Sequence, residues 1–431
     1  MPHAERRGLP RRAILAAAAL TAGAAAPLLG TLPATAGSLP DADALYKAGD
    51  FAAAERAYRA VLRRDRLNAR ANAQVGQIAL LSNRFRDAEE HLSRAITVDP
   101  GDQVSRQRLA ECFVRQDRHG RAIPLLRATG RPADAAFAEQ FAHLPDRPWQ
   151  VCGRSSTRLP FHAMEPVPSV WARVNGGEPR RYLLDTFATI GMTGEVAEAA
   201  GIRSLATTTG RMTDGTPIVR HLGVVESFTL GDIELRGVPV QWTDLAMPPL
   251  PDGTQPAGAI GTLAFYHLLA TMDYAGRALV LRRKTPGELA RFKAEAARSG
   301  YDRLPLWLAG DHFPCSLGKV HDYGPRVVTL DTGGIGHGVS MGLGLAAHLG
   351  IEVGTPDPAR PFYHPLTADS AGLGRAVAHD VAGWAGPPGT GPGGGLDFDT
   401  IANFSHTFYR DFAMTFDYRG MGVYMTGALS A

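Results

Sequence analysis

Small and apolar residues recur every 34 positions in the first third of the chain, between about residues 41 and 130. In each copy a small residue is preceded, three positions earlier, by an aromatic ring and followed, four positions later, by a large apolar or aromatic side chain. This period is typical of stacked helix pairs, in which each pair buries its apolar face against the next. The recurring positions are Phe51, Ala54 and Tyr58, then Phe85, Ala88 and Leu92, then His119, Ala122 and Leu126. We therefore predict a helical array over residues 41–130.

The pattern changes after a Pro- and Arg-rich stretch, residues 131–165, which we interpret as a linker. Short runs of strand type follow, separated by Gly and Pro. Two of them, YLLDTFATIG from Tyr182 and VVTLDTGGIG from Val327, run an apolar strand into Asp-Thr, with the aspartates 146 residues apart. Two hairpin patterns, TMDYAGRALVL from Thr271 and TFDYRGMGVYM from Thr415, lie 144 residues apart. Because both pairs keep nearly the same spacing, we predict a duplicated unit.

The predicted fold class is multidomain: an N-terminal all-α solenoid, then a β-rich bilobal domain made of two duplicated lobes. We place lobe 1 at residues 166–284 and lobe 2 at residues 303–431. The amphipathic stretch TPGELARFKAEAARSG predicts a connecting helix within residues 285–302.

These patterns carry two family resemblances. The N-terminal period resembles the tetratricopeptide repeat, and the third copy departs from it with Pro124 inside its second helix. The duplicated half, with its Asp-Thr loops, the AIG turn at Ala259 to Gly261 and the two terminal hairpins, resembles the retropepsin-like aspartic proteases of bacteria. That resemblance implies one aspartate from each lobe, Asp185 and Asp331, sharing a proton and activating a water.

The resemblance also implies supporting residues. Thr186 and Thr332 are expected to tie the two loops together by hydrogen bonds, and Gly333 and Gly261 to allow close backbone approach. A substrate-covering flap is expected around the turn formed by Thr213, Asp214 and Gly215.

Two departures make the lobes unequal. Phe187 stands where the second lobe has glycine, so we expect either a changed backbone path or a ring pushed into the cleft. Ser405 stands opposite Gly261, so lobe 2 lacks the small turn. We expect the glycine-rich AGPPGTGPGGG stretch to occupy the flap position of lobe 2.

The N-terminus has the pattern of a twin-arginine export signal. Four arginines precede a weakly hydrophobic Ala-rich run, and ATA at Ala34 to Ala36 offers a cleavage site. We predict a signal peptide at residues 1–36 and an exported, periplasmic or extracellular protein without a stable membrane span after cleavage. An uncleaved anchor helix is the alternative. The leader carries a net +3, which equals the charge of the whole 431-residue chain, so no basic nucleic-acid footprint remains.

The remaining chemistry-bearing residues indicate no second site. Three cysteines are too few for a disulfide scaffold, although a bridge from Cys152 to Cys315 is open. The histidines form no metal-ligand motif, so we predict neither metal nor cofactor. GVSMG around Ser340 matches the serine-hydrolase pattern, but it does not follow a strand directly, as that motif requires.

Two functions remain open at this point. The first is an exported aspartic endopeptidase whose repeats recruit or orient a protein substrate or partner. The second is an inactive relative that binds peptides or proteins. Phe187 is the residue on which the choice between them depends.

Overall fold

The structure is a computed structural model that describes residues 38–211, 217–245, 247–358, 360–387 and 395–426. The predicted signal peptide and the predicted flap turn at Thr213, Asp214 and Gly215 lie outside these ranges. Among the described helices, none has the length and apolar character needed to cross a membrane.

Seven helices form the N-terminal array. Asp50, Asn68 and Asp102 cap the starts of three of them by accepting backbone N–H bonds. Gly76 lies where two helices touch, because a Cβ atom there would come within 2.6 Å of Cγ of Leu92. The helices are α1 (Leu39–Lys47), α2 (Phe51–Arg64), α3 (Ala69–Leu81), α4 (Phe85–Val98), α5 (Gln103–Val114), α6 (His119–Arg127) and α7 (Pro132–Ala142).

The predicted linker at residues 131–165 is wrong, because this segment is folded. Helix α7 starts with proline at its first turn, a position that needs no N–H donor. The Gln140 amide donates to the carbonyl oxygens of Gly223 (2.7 Å) and Val240 (2.8 Å), which fixes the helix on lobe 1. The strands β1 (Gln150–Gly153) and β2 (Ser156–Pro160) follow. Because this segment is rich in Pro and Arg, the short apolar faces of α7, β1 and β2 could not be recognised in the sequence.

Lobe 1 is built on an eight-stranded sheet. Strand β4, which leads into Asp185, pairs in parallel with β9, and β9 pairs antiparallel with β5. The elements of lobe 1 are β3 (Ser169–Val174), β4 (Arg180–Leu184), β5 (Ile190–Thr193), α8 (Gly194–Ala199), β6 (Ala206–Arg211), β7 (Pro217–Leu230), β8 (Ile233–Thr243), β9 (Gly258–Ile260), α9 (Thr262–Tyr266), β10 (Leu268–Asp273) and β11 (Ala278–Arg283).

Lobe 2 repeats these pairings on a seven-stranded sheet. Strand β15, which leads into Asp331, pairs in parallel with β19, and β19 pairs antiparallel with β16. The connecting helix α10 (Pro286–Arg298) precedes the lobe. Its elements are β12 (Asp302–Pro305), β13 (Trp307–Ala309), β14 (Phe313–Val320), β15 (Tyr323–Leu330), β16 (Val339–Gly342), α11 (Leu343–His348), β17 (His364–Leu373), β18 (Ala376–Gly386), β19 (Ala402–Phe404), a 3₁₀ helix (His406–Asp411), β20 (Ala413–Asp417) and β21 (Gly422–Met425).

Most of the glycine-rich stretch, residues 388–394, lies outside the described residues. Strand β18 pairs in parallel with β16 just as β8 pairs with β5, so β18 is the counterpart of β8. In chain order the stretch therefore comes after the counterpart of β8. The flap expected in lobe 1 comes before β8, between β6 and β7, which pair antiparallel. In the described part of lobe 2, the chain before β17 makes a single antiparallel bridge, Val353 with Leu366.

A six-stranded sheet joins the two lobes along the axis of the duplication. Strands β10 and β20 pair antiparallel, with Thr271 opposite Thr415 and Met272 opposite Met414. The two threonine hydroxyls lie 2.7 Å apart. The matched hairpins noticed in the sequence are therefore one continuous interface between the lobes.

The helical array shares a hydrophobic core with lobe 2. Phe51 packs edge-on against Trp307 (5.0 Å between ring centroids) and Phe398 (4.9 Å). The Tyr46 hydroxyl donates to Asp397 (2.8 Å), and Arg108 pairs with the same carboxylate. Helices α1, α2, α3 and α5 all supply residues to this contact. The array is therefore fixed to the β-rich domain.

The three cysteines are free, so the bridge from Cys152 to Cys315 is not formed.

Candidate active site

The two Asp-Thr loops are held together by reciprocal hydrogen bonds. The Thr186 N–H donates to the Thr332 hydroxyl oxygen and the Thr332 N–H donates to that of Thr186, each at 3.0 Å. Each hydroxyl in turn donates to a carbonyl of the other lobe, that of Leu330 (2.6 Å) or Leu184 (3.2 Å). Both threonines are fully buried. The threonines thus make the loop-to-loop bonds that the family resemblance implies.

This arrangement brings the carboxyl group of Asp185 against the opposite loop. A Cβ atom built on Gly333 would lie 2.5 Å from Oδ2 of Asp185, so only glycine fits there. Each aspartate accepts a backbone bond from the second residue after it. Asp185 Oδ1 accepts from the Phe187 N–H at 2.7 Å, and Asp331 Oδ1 from the Gly333 N–H at 2.8 Å.

Asp331 has further partners within lobe 2. Its Oδ2 accepts from the Asn403 amide at 3.0 Å, and Asn403 accepts from the Thr329 hydroxyl at 2.6 Å. Burial and the neighbouring Asp185 charge raise the pKa of Asp331 to about 7, against the lowering effect of the Asn403 bond. Asn403 and Thr329 escaped the sequence analysis, although NFS stands where lobe 1 has AIG.

Asp185 lies in a different electrostatic environment. Burial raises the pKa of its carboxyl group, while the Phe187 N–H bond and the positive charge of His312 lower it. His312 lies in the turn between β13 and β14 of lobe 2. The sequence analysis gave His312 no role, because only the fold brings this histidine near Asp185.

Phe187 follows the backbone path of the glycine that it replaces. Its N–H bonds to its own aspartate as the Gly333 N–H does, and its φ is not among the positive values found in the described chain. Its ring packs edge-on against Phe313, with centroids 5.0 Å apart. Of the two expected outcomes, a changed backbone path is not observed, and the ring packs against Phe313 of lobe 2.

Ser405 and Gly261 occupy equivalent positions in the two lobes, and the residue beside each of them differs in size in the opposite sense. In lobe 1, Gly261 has no room for a side chain, because a Cβ atom there would lie 2.1 Å from the backbone carbonyl oxygens of Asp185 and Ala188. In lobe 2 the larger residue is Ser405, and the smaller is Gly334, whose Cβ atom would lie 2.8 Å from that of Ser405. The Ser405 hydroxyl donates to the Asp331 carbonyl oxygen at 3.0 Å. Both lobes therefore keep the same turn behind the catalytic loop.

Ser340 does not lie on an exposed elbow. It is buried in β16, where it pairs with Asn403 of β19. This placement gives no support to a serine nucleophile.

Comparisons with known proteins agree with this geometry. Residues 170–263 match the family model "Aspartyl protease", and residues 39–103 and 76–136 match "Tetratricopeptide repeat". No curated protein matches the chain. Among solved structures, a mutant of the Thermobaculum terrenum O-GlcNAc transferase matches at 26% identity with a TM-score of 0.22. The match covers 24% of this chain and 20% of that one, and it carries no argument here.

The chain thus carries tetratricopeptide repeats within residues 39–136 and a segment of the retropepsin-like aspartyl protease type at residues 170–263. The aspartyl protease match falls within lobe 1. Lobe 2 is recognised by its strand pairings and by the second Asp-Thr loop.

Proposed function

We propose that the protein is an exported aspartic endopeptidase that cleaves peptide bonds with a water activated between Asp185 and Asp331. The observation that carries the proposal is the reciprocal bonding of Thr186 and Thr332, which sets one aspartate of each lobe on either side of a common axis. Asp185 lies against Gly333 of the opposite loop. A structural role for one isolated Asp-Thr turn would not require two such loops back to back.

The surroundings of the two carboxyl groups assign their roles. Two close carboxylates in a buried site hold one proton between them. Burial raises the pKa of both carboxyl groups. The Asp185 charge raises that of Asp331 further, so we assign Asp331 the shared proton and the role of the acid. The positive charge of His312 lowers the pKa of Asp185, which we assign as the base. Asp185 takes a proton from the attacking water while Asp331 protonates the peptide carbonyl oxygen. The tetrahedral intermediate then collapses as a proton passes to the leaving nitrogen.

The helical array is proposed to hold lobe 2 in place and to present its remaining surface to a protein substrate or partner. Lobe 2 already contacts the first helices of the pairs through Tyr46 and Arg108, and it contacts the start of α2 through Phe51. Recruitment therefore falls to the faces of the second helices, α2, α4 and α6, that point away from lobe 2. Alanine substitutions on these faces should raise KM for a protein substrate and leave cleavage of a short peptide unchanged.

Export is proposed from residues 1–36 alone, and it is tested separately. A fusion of these residues to a reporter that must fold before transport should be exported, and changing both Arg11 and Arg12 to Lys should block it. Retention of the unaltered fusion in the cytoplasm would contradict the proposal.

The catalytic proposal is tested by cleavage of an unfolded protein between pH 3 and 8. We expect pepstatin-sensitive cleavage that is lost in Asp331→Asn and in Asp185→Asn. Asp322→Asn is the matched control, because this exposed aspartate lies in the turn between β14 and β15. Absence of cleavage by the parent chain, or full activity of Asp331→Asn, would contradict the enzyme and leave the peptide-binding alternative.

A further inference from the structure

A turn of lobe 2 places a histidine beside the first catalytic loop. The turn joins β13 to β14 and carries Asp311 and His312. Arg115 of the helical array fixes this turn by donating to the carbonyl oxygens of Leu308 (2.9 Å) and Gly310. The Arg115 side chain is 5% exposed, so the anchor is buried.

The His312 ring is paired with a carboxylate. Its Nδ1 is in hydrogen-bond contact with the Asp311 carboxylate of the same turn. Burial lowers the pKa of His312, but the charges of Asp311 and Asp185 raise it above its ordinary value. A histidine paired with a carboxylate in this way is favoured as the imidazolium. The His312 ring is 18% exposed, which reduces solvent screening of its charge.

Phe187 connects this histidine to Asp185. Its N–H donates to Asp185 Oδ1 at 2.7 Å. The Phe187 ring packs on Phe313, whose ring lies 4.1 Å from that of His312. Phe187, which stands where lobe 2 has glycine, is therefore the residue of the first catalytic loop that packs against lobe 2 next to this turn.

We propose that His312 is a positioning residue of the active site, a fixed cation that keeps Asp185 ionised and so makes it the base of the pair. The proposal rests on the proposed function and deepens it. The charged groups around His312 and its turn are Asp311, Asp185, Arg115 and Glu111, and Glu111 accepts from Arg115. Arg115 and Glu111 neutralise each other in large part, which leaves Asp311 and Asp185 as the partners of the imidazolium.

The test is the pH profile of kcat/KM for the full chain on an unfolded protein. In His312→Gln the base loses its cation, so the acid limb should move up by about one pH unit, a tenfold loss of kcat/KM on that limb. Near the optimum the loss should be small. His312→Lys keeps a positive charge and should restore most of the shift. Asp311→Asn should move the limb in the same direction by less.

His348→Gln is the matched control, because this histidine lies on α11 and packs on Tyr323. It should leave the acid limb in place. An unshifted acid limb in His312→Gln, in a parent that does cleave, would overturn the role of His312 and leave the proposed function standing.

A second measurement does not depend on activity. Titration of carboxyl-labelled aspartate by carbon-13 NMR, with Asp185→Asn used to assign the signal, should show the Asp185 carboxyl titrating at higher pH in His312→Gln than in the parent. An unchanged titration would overturn the inference, whether or not the parent cleaves. A parent that cleaves nothing but shows the shift would contradict only the proposed function.

Discussion

At the scale of single residues, the space beside each catalytic loop decides where glycine is required. Gly333 leaves no room for a Cβ atom because the Asp185 carboxyl lies against it. Phe187, at the equivalent place, has turned its ring onto Phe313. The sequence predicts both aspartates and the two departures from symmetry. It could not predict that Phe313 packs on Phe187 or that Gly334 leaves room for Ser405, because these residues become neighbours only in the folded structure.

Gly333→Ala should lower activity about a hundredfold. The added methyl group would displace the Asp185 carboxyl, and a displacement of about 1 Å costs roughly a hundredfold in rate. The measurement is kcat/KM on an unfolded protein. Gly344→Ala is the control, because no atom lies within 4 Å of the added Cβ there and the residue is helical. Equal activity of Gly333→Ala and the parent would mean that Asp185 is not held where we describe it.

Asp331→Asn should stabilise the protein at pH 8 and leave its stability at pH 3 nearly unchanged. The folded state raises the pKa of Asp331 from 3.8 to about 7, so ionising this carboxyl opposes folding increasingly as pH rises between those values. Below pH 3.8 the Asp331 carboxyl is protonated in both the folded and the unfolded state, so its ionisation no longer affects the free energy of unfolding. The gain at pH 8 is at most about 4 kcal/mol. Urea unfolding at both pH values measures it, and a loss of stability at pH 8 would show that the carboxyl is not desolvated.

At the scale of elements, strand ends and threonines position the site. Strand β4 and its counterpart β15 each end at an aspartate, and each pairs in parallel with a short strand, β9 or β19. Matched spacing in the sequence was enough to predict this duplication. The helix α7 and the strands β1 and β2 were missed, because their short apolar faces are recognisable only against the sheet that they cover.

Thr332→Val should weaken both stability and catalysis. It removes the bond to Leu184 and leaves the buried Thr186 N–H without its acceptor, at a cost of about 1–3 kcal/mol. Thr332→Ser keeps the hydroxyl and should restore most of the loss. Denaturant unfolding and kcat/KM measured on the same samples test the pair. If valine and serine behave alike, the hydroxyl bonds do not hold the loops.

At the scale of the whole molecule, the repeat array and the β-rich domain share one core. The cluster that contains Phe51 and Tyr58 of the array also contains Val327 and Phe398 of lobe 2. Arg115 of the array also donates hydrogen bonds to the backbone at the turn that carries His312. The sequence predicts the array, but its contact face could not be read from repeat periodicity, which is the same for arrays that bind other proteins.

Arg115→Ala should therefore destabilise both parts together. Removing this buried guanidinium leaves Glu111 and several carbonyl groups without their donor, at a cost of about 3–5 kcal/mol. All 5 tryptophans lie beyond residue 148, so their fluorescence reports the lobes, while far-UV circular dichroism at 222 nm is dominated by the array. In urea, the fluorescence and the circular dichroism should report the same transition midpoint, and Arg115→Ala should lower both midpoints by the same amount. Arg118→Ala, an exposed pair with Glu89, is the control. Separate transitions would contradict a shared core.

The central claim is that Asp185 and Asp331 act on one water molecule. The most direct measurement is a crystal structure of the protein with pepstatin, whose statine hydroxyl takes the place of that water. We predict the hydroxyl oxygen within about 3 Å of a carboxyl oxygen of each aspartate. A bound inhibitor that contacts only one of the two carboxyl groups, or carboxyl groups that face away from a common ligand, would contradict the account.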